Sequence, residues 1–225
     1  MVSIIIPTFN EEKQIPLLMN NLLSQNSECE IIIVDGGSTD LTLSKCLIYK
    51  NVKIISSEKG RANQMNKGAE AAKGEILLFL HADTLLPENG IEAIEEAMKD
   101  TSYIGGSFFM KFDKDSLPLR FYSSFTKINN SYFTYGDQGI FVRKNIFKEI
   151  DGYKITPILE DFEIQKRLRK KGKFIKLPLA VTTSSRRFVQ VGEFKQQIIN
   201  IALLGAYELG VSPQNIKKYY SDLSR

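Results

Sequence analysis

Hydrophobic residues follow two rhythms along the chain. Four short runs in the first half, Val2–Ile6, Glu30–Val34, Val52–Ile55 and Glu75–Leu80, are rich in Ile, Val and Leu without strict alternation. That is the pattern of strands buried on both faces of a parallel sheet. Between them the spacing becomes helical. Ile15, Leu18, Leu22 and Leu23 recur on one helical face, Ser38 or Thr39 is placed to cap a helix through Tyr49, and Arg61–Lys73 is rich in helix formers before Gly74. Pro87 opens a further predicted helix, Pro87–Asp100, with Ile91, Ile94 and Met98 on one side. The alternation predicts an α/β fold with a parallel sheet, right-handed crossovers and helices on both faces.

After Asp100 the pattern is mixed. Gly105–Phe112 and Tyr132–Arg143 have strand composition, Asn145–Ile150 predicts a short helix, Leu159–Lys171 a longer one and Lys173–Thr183 another strand. Phe194–Gly210 predicts a C-terminal helix, apolar on most sides around Ile198–Leu204. It reads either as a core helix or as one that lies on a membrane or covers an oligomer interface. No repeat, low-complexity segment or linker divides the 225 residues, so one domain is expected, with residues 1–104 and 105–225 as its halves.

Composition narrows the class. Hydrophobic residues at 43% and charged residues at 25% exclude a disordered or fibrous chain. The two cysteines, Cys29 and Cys46, cannot build a disulfide framework and lack C-x-x-C spacing, so they read as buried thiols in a reducing compartment. No basic leader with an apolar stretch follows Met1, and Ile198–Leu204, interrupted by Asn200, falls far short of the ~18 residues of a spanning helix. A cytoplasmic protein is expected, with a peripheral contact at the inner face of the membrane left open. The net charge of +4 is unevenly spread: between Arg143 and Arg187 thirteen Lys and Arg stand against five Asp and Glu. That segment reads as a solvated basic face or as one turned towards phosphate or a membrane surface.

In open parallel sheets ligands bind beyond the carboxyl ends of the strands. The segments there are Pro7–Glu11, Asp35–Asp40, Ser56–Arg61 and His81–Thr84, all polar. Gly36 and Gly37 let backbone approach a ligand, and Lys59 and Arg61 suit phosphate, so a diphosphate site is inferred. Each piece also has a plainer reading: Asp35–Thr39 as a turn and helix cap, Asp83 as a cap, and His81, the lone histidine, as a packed structural residue.

Three of these segments together resemble a known family. Ile4-Ile5-Ile6-Pro7-Thr8-Phe9-Asn10-Glu11, Ile33-Val34-Asp35-Gly36-Gly37-Ser38-Thr39-Asp40 and Leu78-Phe79-Leu80-His81-Ala82-Asp83-Thr84 are similar to the successive motifs of family 2 inverting glycosyltransferases. Gly60–Asn66, Gly136-Asp137-Gln138, Glu160-Asp161 and Thr183–Arg187 resemble a narrower bacterial subgroup, the arsenosugar-biosynthesis or selenodomain-associated glycosyltransferases. The likeness runs to about Tyr220. It implies the GT-A, Rossmann-like fold, a mixed sheet that is mostly parallel in a nucleotide-binding N-terminal half (1–104), followed by an acceptor-binding half with C-terminal helices.

The resemblance also implies roles. Pro7, Thr8, Asn10, Glu11, Asp35 and Gly36 would surround the nucleoside of a nucleoside diphosphate sugar, with Asp35 near the base and Arg61 on the diphosphate side. Asp83 corresponds to the last aspartate of the D-x-D motif and would bind Mg²⁺ or Mn²⁺, hard cations that suit oxygen ligands and bridge a diphosphate. His81 replaces the first aspartate of that motif, so a two-carboxylate clamp is missing, and His81 is left to touch ribose, phosphate or metal. An inverting transfer needs a carboxylate to take the proton of the acceptor hydroxyl. Asp161 is the expected base and Glu160 its rival. Asp161 shares a helix face with Ile164 and Leu168, although both acids would also serve as helix caps and counter-charges. Gly136, Asp137 and Gln138 would line the acceptor side. Arg186 and Arg187 would reach the diphosphate, with Phe188 standing where the family commonly shows an arginine-tryptophan pair.

Two other classes compete. A sugar nucleotidyltransferase would carry a glycine-rich basic loop after the first strand, where this chain has Thr8-Phe9-Asn10-Glu11-Glu12-Lys13, and no G-x-G-x-x-G supports a dinucleotide enzyme. A non-catalytic protein that binds nucleotide sugar or nucleic acid fits the basic second half, but no nucleic-acid motif is present and nucleic acid is not an expected partner. The base and sugar of the donor, the hydroxyl acceptor and the oligomeric state are left open.

Overall fold

The computed structural model describes residues 1–223, with side chains to Tyr220. The first half runs β1 (Val2–Thr8), α1 (Ile15–Leu23), β2 (Cys29–Asp35), α2 (Thr42–Cys46), β3 (Val52–Ser56), α3 (Arg61–Ala71), β4 (Ile76–Phe79), β5 (Thr84–Leu85) and α4 (Gly90–Ala97). The second half runs β6 (Tyr103–Phe112), α5 (Leu117–Phe125), two 3-10 turns at Ser131–Phe133 and Gly136–Gln138, β7 (Ile140–Arg143), α6 (Lys144–Glu149), α7 (Glu160–Lys171), β8 (Lys173–Thr183), α8 (Arg186–Val191), α9 (Glu193–Glu208) and α10 (Pro213–Leu223). One mixed sheet holds the strands in the order β3-β2-β1-β4-β7-β6-β8-β5. The strands β1 to β4 pair in parallel, β7 runs antiparallel to both β4 and β6, and β6 pairs in parallel with β8.

The apolar runs are continuous because both faces of the sheet are covered. Successive side chains alternate sides. Ile4, Ile6, Ile31, Ile33 and Leu78 pack on the side of α1 and α4, with Leu18, Ile91 and Ile94. Ile5, Ile32, Val34, Leu77 and Phe79 pack on the other, with Met65 of α3 and Ile164 and Leu168 of α7. Gly68 lets α3 approach β1: a Cβ there would lie 2.3 Å from Cγ2 of Ile5. Thr8, Asp35 and Ser56 end in register, so the three loops that follow begin side by side.

Several expectations change. Leu23 is exposed, so the inward face of α1 is Ile15, Leu18, Met19 and Leu22. The helix expected from Ser38 to Tyr49 shrinks to Thr42–Cys46, because Ser38 and Thr39 bond the neighbouring loop and Asp40 accepts from the backbone N–H and hydroxyl of Thr42. Pro87 lies in a turn closed by Gly90 N–H to Pro87 O, and Asn89 at φ 56° delays α4 to Gly90. The strand-like stretch from Tyr132 is two 3-10 turns up to Gly139, and only Ile140–Arg143 pairs as a strand. Its aromatic residues serve ring packing instead: Tyr132 against Phe162, Phe133 against Phe125, Tyr135 against Tyr122.

Helices α5, α8 and α10 were not among the expected elements, though Ser116-Leu117-Pro118 is a helix start whose serine hydroxyl accepts from Leu119 N–H. Cys46 is fully buried, with its thiol pushed up to about 11 by burial, whereas Cys29 is half-buried and free. Among the described residues no helix is long and apolar enough to cross a membrane.

Candidate functional site

The loops after β1 and β2 are bonded to each other. Asn10, at φ 56°, donates its N–H to Ser38 Oγ (2.9 Å) and accepts on Oδ1 from Thr39 N–H (2.8 Å). Glu11 N–H donates to Thr42 Oγ1 (2.8 Å) and Glu12 N–H to Asp40 Oδ2 (3.2 Å). Asp35 is 2% exposed. Its Oδ2 accepts from the N–H groups of Gly37 and Ser38, while Oδ1 is buried without a partner. Motif residues Asn10, Asp35 and Gly36 therefore shape the loops, and none lies on the cavity wall beside them. Gln64, which a reading for charge alone passes over, ties both strands together: its Nε2 donates to Thr8 O and to Val34 O, each at 2.7 Å.

Beyond these loops lies a polar cavity of about 640 Å³. Pro7, Thr8 and Glu11 form one wall, Arg61 opens α3 beside them, His81 and Asp83 come from the end of β4, and Arg186 and Arg187 from α8. The position of α8 is set by two bonds, Ser184 N–H to Asp83 O (3.2 Å) and Ser185 N–H to Asp113 Oδ1 (2.8 Å). Arg186 Nη2 donates to Glu11 Oε2 and Asp83 Oδ2, both at 3.2 Å, so one guanidinium is shared between two carboxylates. Burial pushes the Glu11 carboxyl up despite that cation. Lys59 sits 3.7 Å above the Phe9 ring on the same rim.

Among the described residues no three His, Cys, Asp or Glu side chains gather as a cage for a metal ion. The donor set fits a hard divalent cation as a shared site: Asp83 presents a quarter-exposed carboxylate to the cavity, and Mg²⁺ or Mn²⁺ takes one or two carboxylates together with substrate phosphate oxygens. His81 is engaged elsewhere. Its Nδ1 lies 2.6 Å from Asp137 Oδ1 and its Nε2 is buried without a partner. Burial opposes charging of the ring, but the hydrogen bond and charge of Asp137, with the charge of Asp161, push it up to about 9. Asp83 is the carboxylate of this segment that faces the cavity.

A second cavity, about 290 Å³, adjoins the first and shares Arg61, Asp137 and Arg187 with it. Asp161 lies on its wall at the start of α7. Glu160 is 3% exposed and pairs with Arg61, itself 49% exposed, at 2.5 Å. Asp161 Oδ1 is buried without a hydrogen bond, and burial together with the charge of Glu160 pushes its carboxyl up to about 6, against the pull of Arg61 and His81. Gly136 makes room for that carboxylate, since a Cβ there would lie 2.2 Å from Asp161 Oδ2. Burial works against ionised Asp137, but the His81 hydrogen bond and the charges of His81, Arg61 and Arg187 hold its carboxyl below the usual range.

The structure thus gathers Pro7, Thr8, Glu11, Arg61, His81, Asp83, Asp137, Arg186 and Arg187 around one cavity and Gly136 and Asp161 around its neighbour. Gln138 departs from expectation: it is fully buried, donates to Phe133 O and accepts from Lys176. Lys176 also donates to Ser107 Oγ (2.8 Å) and Thr134 Oγ1 (3.1 Å), and burial with the nearby Arg169 pushes its ammonium down to about 7. Much of the basic segment is spent internally, Lys166 on Glu208, Lys171 on Glu149, Lys154 and Arg167 on Glu163.

Known proteins share this arrangement of chain. Glycosyltransferase GlyG of Streptococcus pneumoniae is 28% identical over 131 residues, 54% of this chain and 43% of that protein. The chain spans less than half the length of that curated relative. Among solved structures, S. aureus TarS 1-349 in complex with UDP superposes with a TM-score of 0.66 at 22% identity, covering 90% of this chain and 64% of that one. A mannosyltransferase from Pyrobaculum calidifontis, in complex with GDP-Man and Mn2+, superposes with a TM-score of 0.69 at 19% identity, covering 99% and 69%. At those identities the superpositions speak for the fold. The profile described as Glycosyl transferase family 2 matches residues 3–155, well over half of the sequence, and the chain belongs to that family.

Proposed function

We propose that this protein transfers a sugar from a nucleoside diphosphate sugar to a hydroxyl acceptor with inversion at the anomeric carbon. The observation that carries the reading is the meeting of two unlike cavities at Arg61, Asp137 and Arg187, one walled by Asp83, Arg186 and Arg187, the other by Asp161. Support comes also from relatives of the same fold solved with UDP or with GDP-Man and Mn2+. The narrower likeness to the arsenosugar and selenodomain-associated group is retained within this reading on its motif residues alone.

In this reading the diphosphate lies in the polar cavity. Arg186 and Arg187 face its oxygens, with Arg61 at the junction towards the anomeric carbon. Asp83 would hold Mg²⁺ or Mn²⁺, which when bound neutralises charge developing on the leaving diphosphate. The acceptor hydroxyl enters from the second cavity. Its oxygen forms the new bond to the anomeric carbon as the bond to the diphosphate oxygen breaks on the opposite side. The hydroxyl proton passes to the Asp161 carboxylate, and the nucleoside diphosphate departs with the electron pair. A carboxyl pushed up to about 6 is ionised at neutral pH yet basic enough to accept a proton. Glu160 is held by Arg61 and is the weaker candidate.

A thermal-shift panel of nucleoside diphosphates with and without Mn²⁺ tests the donor half, since a ligand that binds only the folded state raises its apparent stability. One base should stand out, and Asp83→Asn should remove the Mn²⁺-dependent part. If no nucleoside diphosphate shifts the transition, or if the protein releases pyrophosphate from a nucleoside triphosphate and a sugar phosphate, the reading fails.

A further inference from the structure

A collar of Tyr122, Tyr135, Phe188 and Leu204 is common to the walls of the Asp161 cavity and of a third cavity, about 570 Å³, between α5 and α9. The walls beyond the collar are almost wholly apolar, with Phe125 and Phe133 stacked at 5.7 Å inside. Phe121, Phe194 and Ile201 form the outer rim, 69%, 73% and 62% exposed. The two acids on its wall are already neutralised, Glu193 by Lys114 at 2.9 Å and Glu208 by Lys166 at 2.8 Å.

Apolar surface of this extent left open to water marks a binding site, and the volume lies within the roughly 300–1,000 Å³ of small-ligand sites. Polarity falls in one direction across the two neighbouring cavities. An ionisable carboxylate stands at one end, tyrosines with hydroxyls at the collar, and bare hydrocarbon walls at the other. A molecule matching that gradient has a hydroxyl-bearing head and an alkyl or isoprenoid tail.

We propose that the trough between α5 and α9 holds the hydrocarbon chain of an amphiphilic acceptor whose head hydroxyl reaches Asp161. The inference rests on the transferase reading above and gives its acceptor a chemical class. The wall shared with the Asp161 cavity sets this occupant apart from a second copy of the chain or a bilayer surface, either of which would meet the rim alone.

Hexyl, octyl and decyl β-D-glucosides, kept below their micellar concentrations, serve as probes in titration calorimetry. Affinity should rise about fourfold per added methylene. Phe121→Ser and Ile201→Ser alter exposed side chains and should leave the fold intact; each should weaken decyl glucoside binding several-fold, and the pair should lose it, while UDP or GDP binding with Mn²⁺ stays at the wild-type level. Affinity independent of chain length, or untouched by both substitutions, overturns the proposal. So does a concentration-dependent dimer in sedimentation, or flotation with phosphatidylcholine vesicles, that the same substitutions abolish while no alkyl glucoside binds. If decyl glucoside binds but no nucleoside diphosphate does, the transferase reading has failed and the trough is a lipid-binding site without an acceptor role.

Discussion

The two ends of the cleft are walled by different physics. On the polar side the walls are charges paired in place, Arg186 between Glu11 and Asp83, Arg61 against Glu160, His81 against Asp137. They stand on strand-end loops bonded backbone to side chain. On the other side the walls are rings, in edge, stacked and tilted contacts of 5.0 to 5.9 Å, with few directional bonds. The part-exposed pairs of Arg186 contribute little to folding, whereas buried aromatic area contributes much. Arg186 is therefore open to substitution without unfolding, while Tyr122 and Phe188, both buried, hold the second half together as well as lining its cavity. Directional charge suits a fixed anion such as a diphosphate. Non-directional apolar packing suits ligands that vary in length.

The sharpest test of that contrast is Asp161→Asn, which keeps shape and removes the proton acceptor at the junction. Sugar transfer should fall about 10²- to 10⁴-fold with nucleoside diphosphate binding retained; steady-state transfer at near wild-type rate would show that the base lies elsewhere. In the wild type the rate should rise with pH through about 6, because the carboxyl, pushed up by burial and Glu160, must lose its proton to act. The variant should lack that limb.

A smaller loss is expected for Gly136→Ala. The added methyl would sit 2.2 Å from Asp161 Oδ2 and displace it, at a cost of roughly 10²-fold or less in turnover, with donor affinity unchanged. Equal losses in donor affinity and turnover would mean that Gly136 serves the polar side instead. Gln64→Leu acts on folding. It strips the amide that bonds Thr8 O and Val34 O under the polar wall, and chemical denaturation should show about 1 to 3 kcal/mol of lost stability.

Least at neutral pH, but distinctive in sign, is Lys176→Met. The folded ammonium is pushed down to about 7 from an ordinary 10.5, so between those values the unfolded chain binds more protons and stability climbs as pH rises. One proton limits the slope to about 1.4 kcal/mol per pH unit. The substitution should flatten it, and denaturation midpoints at neutral and alkaline pH with the same slope in both proteins would refute the assignment.

How far these features could be read from the chain follows the same division. Val2–Thr8 and Cys29–Asp35 were legible because a strand covered on both faces must be apolar at every position, and their loops carry motif words in fixed order. Ser38 and Thr39 were misleading as helix caps, because a residue that can cap a helix can equally bond a neighbouring loop, and only proximity selects between them. Tyr132–Tyr135 carried strand propensity into 3-10 turns for a related reason. Aromatic rings favour any half-buried surface, and here rings of α5 and α7 supplied it. Gln138, placed on the acceptor side by the resemblance, and Lys176, one of the basic segment read as solvated or facing an anion, ended by bonding each other inside the protein.

By itself, then, the order of residues determined the alternating sheet and helix, the loops gathered at its carboxyl edge and the identity of the acids and arginines placed there. Those depend on neighbours a few positions apart and on periodicity. Tertiary structure decided which charge meets which, that His81 faces Asp137, that Arg186 bridges Glu11 and Asp83 across 175 and 103 positions of chain, and that an aromatic trough shares a wall with the Asp161 cavity. Such pairings arise when distant segments are packed into one volume, and local preference carries no term for them.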